Sequence, residues 1–456
     1  MSGAGDGNGP IVERAVAWAC EAGASQADAM LVESDSIEAR VRGKEIDFVK
    51  QARERCLGIR ALVAETGGLH VAVTSTSDLS PVAVQAMAKE AVALARATAA
   101  DPAAGLPVGD FASDLPDLEL WDPGDRHVSV EARVEDARRA EAAARAVDPR
   151  IHNSEGSQVS SAFSRLSLAN SSGFQSQYES ARHSLFAEPL AQQNGGGMQR
   201  DYWMTVGRRL ATLEDPARVG RRAAERALRR LGARRIPTCE VPVLFDAMTA
   251  PSLLRQLASC LNGYAIYRQA SFLAERMGER VASPLVNAVD DGRLPGGLGS
   301  KPFDGEGLAT RRNILVEKGE LRSWLLDSYS ARKLGLVSTG NATRAAGSAP
   351  AVGPTNLWIE PGETTLEAMV ADTPRGLLVT ELIGMGFNPV TGDYSRGAAG
   401  IWIEGGELAY PVEEITIAGN LGDMLLDIDT VGSELLWLGR VAAPPLRIAR
   451  MMVAGE

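Results

Sequence analysis

The spacing of apolar residues changes character several times along the chain. Val12, Ala15, Val16 and Ala19 recur at helical spacing, which predicts a helix over residues 11–22 ended by Gly23. Beyond it, apolar and polar positions alternate in short segments, 29–32, 37–42, 46–50, 56–64 and 69–74, with Gly67-Gly68 as a hairpin turn. That pattern predicts an antiparallel sheet. Ser80 and Pro81 stand as N-cap and first residue of an alanine-rich helix that runs to about residue 99. Residues 101–128 shift to Pro, Gly and Asp and read as a connection over the surface. Ser129 caps a further helix to residue 147, stopped by Pro149. Strands at 159–169, 174–187 and 198–210 follow as a meander, turned by Asn170-Ser171-Ser172-Gly173 and Asn194-Gly195-Gly196-Gly197. An Asp215-capped, arginine-rich helix spans 216–231.

A basic, Pro-containing connector at 233–237 separates this half from a fresh β run at 241–245, so the chain divides into residues 1–235 and 236–456. The second half is mostly β. Segments 312–316 and 321–326 flank Glu317-Lys318-Gly319-Glu320 as a hairpin, Asp327 caps a short helix ended by Gly335, and Thr364 caps another over 365–371. Segment 377–382 leads to a hairpin of 399–404 and 408–412 around Gly405-Gly406, and 441–453 supplies a last docking element. The expected class is α+β: N-terminal antiparallel sheets with packed helices, and a C-terminal, mostly β domain.

With 456 residues, 45% of them hydrophobic, the chain can build real cores. No run approaches the ~18–20 apolar residues of a membrane span, and residues 1–10 lack a signal-peptide pattern, so a cytoplasmic protein without membrane partners is expected. Cys20, Cys56, Cys239 and Cys260 are scattered without a Cys-x-x-Cys pair and read as reduced core thiols. A net charge of −11 argues against nucleic-acid binding. Several of the arginines at 218, 221, 222, 226, 229 and 230 share a helix face, without interleaved aromatics, and read as a solvated face or one that meets an acidic partner.

Candidate chemistry gathers ahead of the last hairpin. Thr391-Gly392-Asp393-Tyr394-Ser395-Arg396-Gly397 places an acid, a phenol, a hydroxyl and a guanidinium between glycines. Asp393, Tyr394, Ser395 and Arg396 either line a binding cavity or partner contact, or form a buried network that pins the hairpin. Ser395 lacks the first glycine and the strand-to-helix setting of a nucleophile elbow. Gly296-Gly297-Leu298-Gly299-Ser300-Lys301 fails the phosphate-loop spacing and reads as a flexible surface turn. His70, His127, His152 and His183 form no metal-binding spacing.

The Thr391–Gly397 string resembles a family signature. Together with 328–336 (SYSARKLGL), 338–340 (STG), 411–420 (PVEEITIAGN), 75–81 (STSDLSP), Arg182-His183-Ser184-Leu185 and Asp201-Tyr202, it resembles the TldE (PmbA) branch of the TldD/TldE metallopeptidases over nearly the whole chain. In the TldD branch a His-Glu-x-x-x-His helix would bind zinc. Anchored on 279–281 and 289–292, that place falls here at Arg255-Gln256-Leu257-Ala258-Ser259-Cys260, with only Cys260 a conceivable ligand. The resemblance therefore implies a subunit with no catalytic or metal residue of its own, paired with a zinc-carrying TldD-type chain that degrades unfolded proteins and processes peptide precursors. The alternative is a non-enzymatic regulator that keeps the fold to bind a peptide or protein.

Overall fold

The computed structural model describes residues 9–193 and 196–455, so most of the glycine-rich opening and the Asn194-Gly195 half of the second meander turn lie outside it. Helix α1 (Gly9–Glu21) precedes β1 (Gln26–Arg42), β2 (Glu45–Glu65), β3 (Gly68–Thr76), α2 (Pro81–Arg96), α3 (Val130–Arg145), β4 (Ile151–Asn170), β5 (Gln175–Gln192), β6 (Met198–Arg200), β7 (Trp203–Gly207) and α4 (Pro216–Leu228). The strands form one antiparallel sheet, ordered β3-β2-β1-β4-β5-β6, with β7 also on β5. α1 and α2 bury Val12, Ala15, Val84, Ala88 and Ala91 against β1 and β2. Farther along, α3 and α4 cover β1, β4 and β5. Ser80, Ser129 and Asp215 cap their helices as expected.

Two expectations change. The five alternating segments fuse into three long strands, because the polar stretches between them lie beyond the covering helices and keep their pairing there, Glu33 opposite Arg55 and Asp35 opposite Arg53. The strand expected over 198–210 splits at Asp201-Tyr202, where Asp201 turns inward to accept from Arg226 Nε of α4 at 3.2 Å.

The C-terminal part contains β8 (Cys239–Phe245), α5 (Pro251–Cys260), α6 (Gly263–Tyr267), β9 (Ala288–Asp291), β10 (Arg312–Glu317), β11 (Glu320–Leu321), α7 (Ser328–Leu334), β12 (Ala342–Thr343), β13 (Ala351–Val352), β14 (Leu357–Ile359) and α8 (Leu366–Ala371). β15 (Arg375–Ile383), β16 (Asp393–Glu404), β17 (Glu407–Asn420), α9 (Leu421–Leu426), β18 (Ile428–Val431), β19 (Val441–Ala442) and β20 (Leu446–Ala454) complete it. Its main sheet runs β17-β16-β15-β8-β20-β18, and β17 also pairs with β20, which closes β17, β16, β15, β8 and β20 into a ring with β18 added on β20. Phe245, Leu377, Val379, Trp402, Ile417 and Ile448 belong to the core cluster that also holds α5. A second sheet, β11-β10-β9-β14-β19, packs beside it.

The return strand β11 is shorter than expected because the following residues bond elsewhere: Leu325 N donates to Leu261 O and Leu326 N to Thr339 Oγ1. The cap of α8 is Thr365, one residue later than Thr364. Asp327 and Ser330 form a reciprocal capping box on α7, and Gly335 ends that helix at φ 69°.

The two parts meet along a buried polar seam. Asp28 on β1 accepts from Arg60 Nε at 2.8 Å and from Arg344 Nη1 at 2.8 Å, and Arg60 Nη1 lies 3.9 Å from Glu306. Burial alone would raise the Asp28 pKa, but Arg344 and Arg60 outweigh it and hold it below the ordinary value. At Gly58 a Cβ would lie 1.6 Å from Ala346 O, so only glycine permits this approach. A second tie joins Arg226 to Asp201 and, at 3.7 Å, to Asp246 just ahead of α5, while Arg230 pairs with Glu381. Most of the arginine helix therefore meets acidic groups of its own chain.

Removing the shared carboxylate leaves two buried guanidiniums facing each other. Asp28→Asn is expected to cost about 3–5 kcal/mol. Urea unfolding of the two proteins measures this, and a loss below about 1 kcal/mol would show that the seam is held by packing instead.

Candidate functional site

The stretch 391–397 is not a free loop: from Asp393 onward it is the first half of β16, paired with β17 and bridged to Phe387 through Tyr394. Strand alternation then divides the four candidate residues between two faces. Asp393 and Ser395 are exposed, and Asp393 Oδ2 accepts only from Thr391 Oγ1, at 2.6 Å. Tyr394, 2% exposed, shares the core cluster with Leu254 and Leu257 of α5, and Arg396 is half-buried. The four do not act as one cluster.

The charge of Arg396 is felt on α5, the helix in which the resemblance places the zinc motif. Arg255 of α5 reaches solvent, yet partial burial lowers its pKa and the like charge of Arg396 lowers it further, with Tyr202 opposing. Burial raises the Tyr394 phenol well above its ordinary range, against the pull of Arg396. Ser252 Oγ and Gln256 Oε1 on α5, and Tyr394 Oη and Arg396 Nε on β16, are all buried without a hydrogen-bond partner. Such unpartnered groups are uncommon and call for water or a ligand. They comprise one amide acceptor, a guanidinium donor and two hydroxyls, each shielded from solvent. Gly386 brings the neighbouring segment close, since a Cβ there would sit 1.8 Å from Ser395 O.

These residues do not fit a divalent metal. Arg255, in the stretch where the resemblance puts the zinc motif, brings positive charge there, and the like charge of Arg396 acts on it. Cys260 is fully buried, its Sγ lies 3.9 Å from Pro389 O, and burial pushes its thiol up to about 11, so it stays protonated. Among the described residues no three His, Cys, Asp or Glu side chains come together in a metal-binding group.

Elsewhere the fold assembles an arrangement with no local sequence signal. His183 Nδ1 lies 2.7 Å from Ser161 Oγ, and its Nε2 lies 3.3 Å from Asp125 Oδ2. Arg133 also donates to Ser161 Oγ. The order resembles a Ser-His-Asp relay, but His183 is fully buried and Ser161 is 1% exposed, so no substrate can reach the hydroxyl. Burial lowers the His183 pKa to about 4, Asp125 opposing and Arg133 assisting.

The chain belongs to the PmbA/TldA metallopeptidase family: the family's domain 1 matches residues 27–95, its central domain 123–231 and its C-terminal domain 238–455. Within that family it falls in the PmbA (TldE) branch. It is 38% identical to Metalloprotease PmbA of Escherichia coli O157:H7, over 98% of this chain and 96% of that one. It is 35% identical to a Metalloprotease PmbA homolog of Haemophilus influenzae, over 98% and 95%. A proposed modulator of DNA gyrase from Bacteroides thetaiotaomicron superposes with a TM-score of 0.90 at 27% identity, covering 99% of both chains. TldE from Thermococcus kodakarensis, at 23% identity and a TM-score of 0.86 over 98% and 100%, shares the fold.

Because the Tyr394 hydroxyl has no partner, Tyr394→Phe is expected to leave stability within about 1 kcal/mol of the parent, while Tyr394→Ala loses about 3–5 kcal/mol of packing. Denaturant unfolding separates the two. An equal loss in both would mean that the hydroxyl pins the hairpin.

His183 supplies a pH signature. Its folded pKa is depressed, so its contribution is complete above the unfolded value of 6.5 and is lost as pH falls toward about 4. At about 1.4 kcal/mol per pKa unit this amounts to about 3 kcal/mol. Unfolding free energies at pH 7 and pH 4 should differ less in His183→Gln than in the parent, and parallel profiles would refute the assignment.

Proposed function

We propose that this chain is the metal-site-lacking subunit of a TldD/TldE-type heteromeric peptidase, in which a TldD-type partner carries zinc and this chain completes the cleft for unfolded peptides. The observation that carries the reading is the chain's place in the PmbA branch; it is supported by Arg255, in the stretch where the resemblance puts the zinc motif, and by the like charge of Arg396 acting on it. Asp393 and Ser395, which β16 turns to the surface, support a role in contacting an extended main chain, whose own hydrogen bonds give affinity with little side-chain preference. A cytoplasmic setting belongs to the same reading; no described helix is long and apolar enough to cross a membrane.

The test is hydrolysis of an unfolded protein by this chain, by a TldD-type homologue and by their mixture, each with and without a chelator. The mixture should exceed the homologue alone, lose activity to the chelator, and fall several-fold in kcat/KM when this chain carries Arg396→Ala while assembly persists. Chelator-sensitive hydrolysis by this chain alone would overturn the proposal. Failure to associate with any TldD-type chain would favour a stand-alone peptide-binding regulator.

A further inference from the structure

A cavity of about 440 Å³ opens between the N-terminal sheet and the C-terminal part, and five cations line it: Arg182, Arg208, Lys301, Arg344 and Arg440. The concentration stands out in a chain with a net charge of −11. The segment 296–301, expected as a flexible surface turn, forms part of its wall, with Gly297 buried and Ser300 only 3% exposed.

Most of this charge has no counter-charge. Arg208 donates to Gly297 O at 3.1 Å, Ala181 O at 2.9 Å and Leu298 O at 2.7 Å, neutral groups that orient it without cancelling it. Lys301 Nζ donates to Ala342 O at 2.7 Å. Asp304 is the lone carboxylate in the lining, and its oxygens accept from the backbone N–H groups of Glu306, Leu308 and Ala342. Arg344, its side chain 1% exposed, shares Asp28 with Arg60 and keeps a buried Nε with no partner. Arg182 and Arg440 are exposed and make no ion pair among the described residues.

The pKa directions agree with a site short of negative charge. Burial lowers Arg208 to about 10, with Arg182 lowering it further and Tyr178 opposing. Lys301 is lowered by burial and by Arg440, against Asp304 and Asp290.

We infer that this cavity binds a small, multiply charged oxyanion, with Arg344 and Lys301 at its floor and Arg182 and Arg440 at its mouth. The volume suits a small-molecule ligand. Phosphate and carboxylate groups share the required chemistry, since both accept charge-assisted hydrogen bonds from guanidinium forks. The site is separate from the α5 and β16 seam and does not depend on the peptidase reading.

The experiment is calorimetric titration of the full chain with inorganic pyrophosphate and with citrate, each against sodium chloride at matched ionic strength, repeated on the Arg182→Ala/Arg440→Ala protein. Those two side chains hold no ion pair, so the double variant is expected to keep the parent melting temperature. Saturable binding near one equivalent, weakened about tenfold or more in the variant, supports the site. Pyrophosphate alone assigns a phosphate ligand, citrate alone a carboxylate. No saturable heat from either, an equal response in the variant, a response matched by chloride, or binding of an acidic peptide but neither small anion would overturn it.

Discussion

A carboxylate that two guanidiniums share across a seam sets the geometry of this molecule. Asp28 comes from the first strand of the N-terminal sheet, Arg60 from its neighbour, and Arg344 from the C-terminal part more than three hundred residues away. Each charge is buried, so none is tolerable without the others. The pairing therefore acts as a register mark: the sheet docks only where all three meet. Gly58 against Ala346 O adds a steric version of the same condition, because the backbones touch where a side chain would separate them. The cationic cavity borders this seam, and Arg344 belongs to both.

The seam of α5 and β16 depends on this docking at one remove. Arg226 reaches from α4 to Asp201 and Asp246, and Asp246 in turn accepts from Met248 N, Thr249 N and Thr249 Oγ1 in the turn that starts α5. The helix carrying Arg255 and Gln256 is thus oriented from both halves of the chain. β16 faces it with Tyr394 and Arg396 and turns Asp393 and Ser395 away, so half of one polar string serves the inside and half the surface. One surface is buried for packing and positive charge, the other remains available for contacts beyond this chain.

What could be read in advance followed the range of the forces. Caps at Ser80, Ser129, Asp215 and Asp327 were legible because a side chain bonds a backbone N–H two or three residues away. The Gly405-Gly406 hairpin was legible because two adjacent glycines take the positive φ, 61° and 80°, that a tight turn needs. Strand length was not, since pairing between Glu33 and Arg55 or Asp35 and Arg53 does not need an apolar face. The meander strand broke at Asp201 because a distant arginine claims that residue. The polar string at 391–397 was found, but its division between two faces required knowing that it is a strand. The cavity was invisible: its five cations are scattered from position 182 to 440, and the one local hint, the glycine-rich turn before Lys301, carries the wrong spacing for a phosphate loop. His183 likewise meets Ser161 and Asp125 only through sheet and linker.

The closed ring of strands also orders events in time. β8 lies between β15 and β20, and β20 joins β8 to β17, so the ring has a gap until residues 446–454 are available. During synthesis the N-terminal sheet, built largely from sequence neighbours, can form while this half is still open. Until Arg344 docks, that sheet holds Asp28 and Arg60 without their third partner. Ring closure thus waits on β20, which follows every other strand of the ring in the chain.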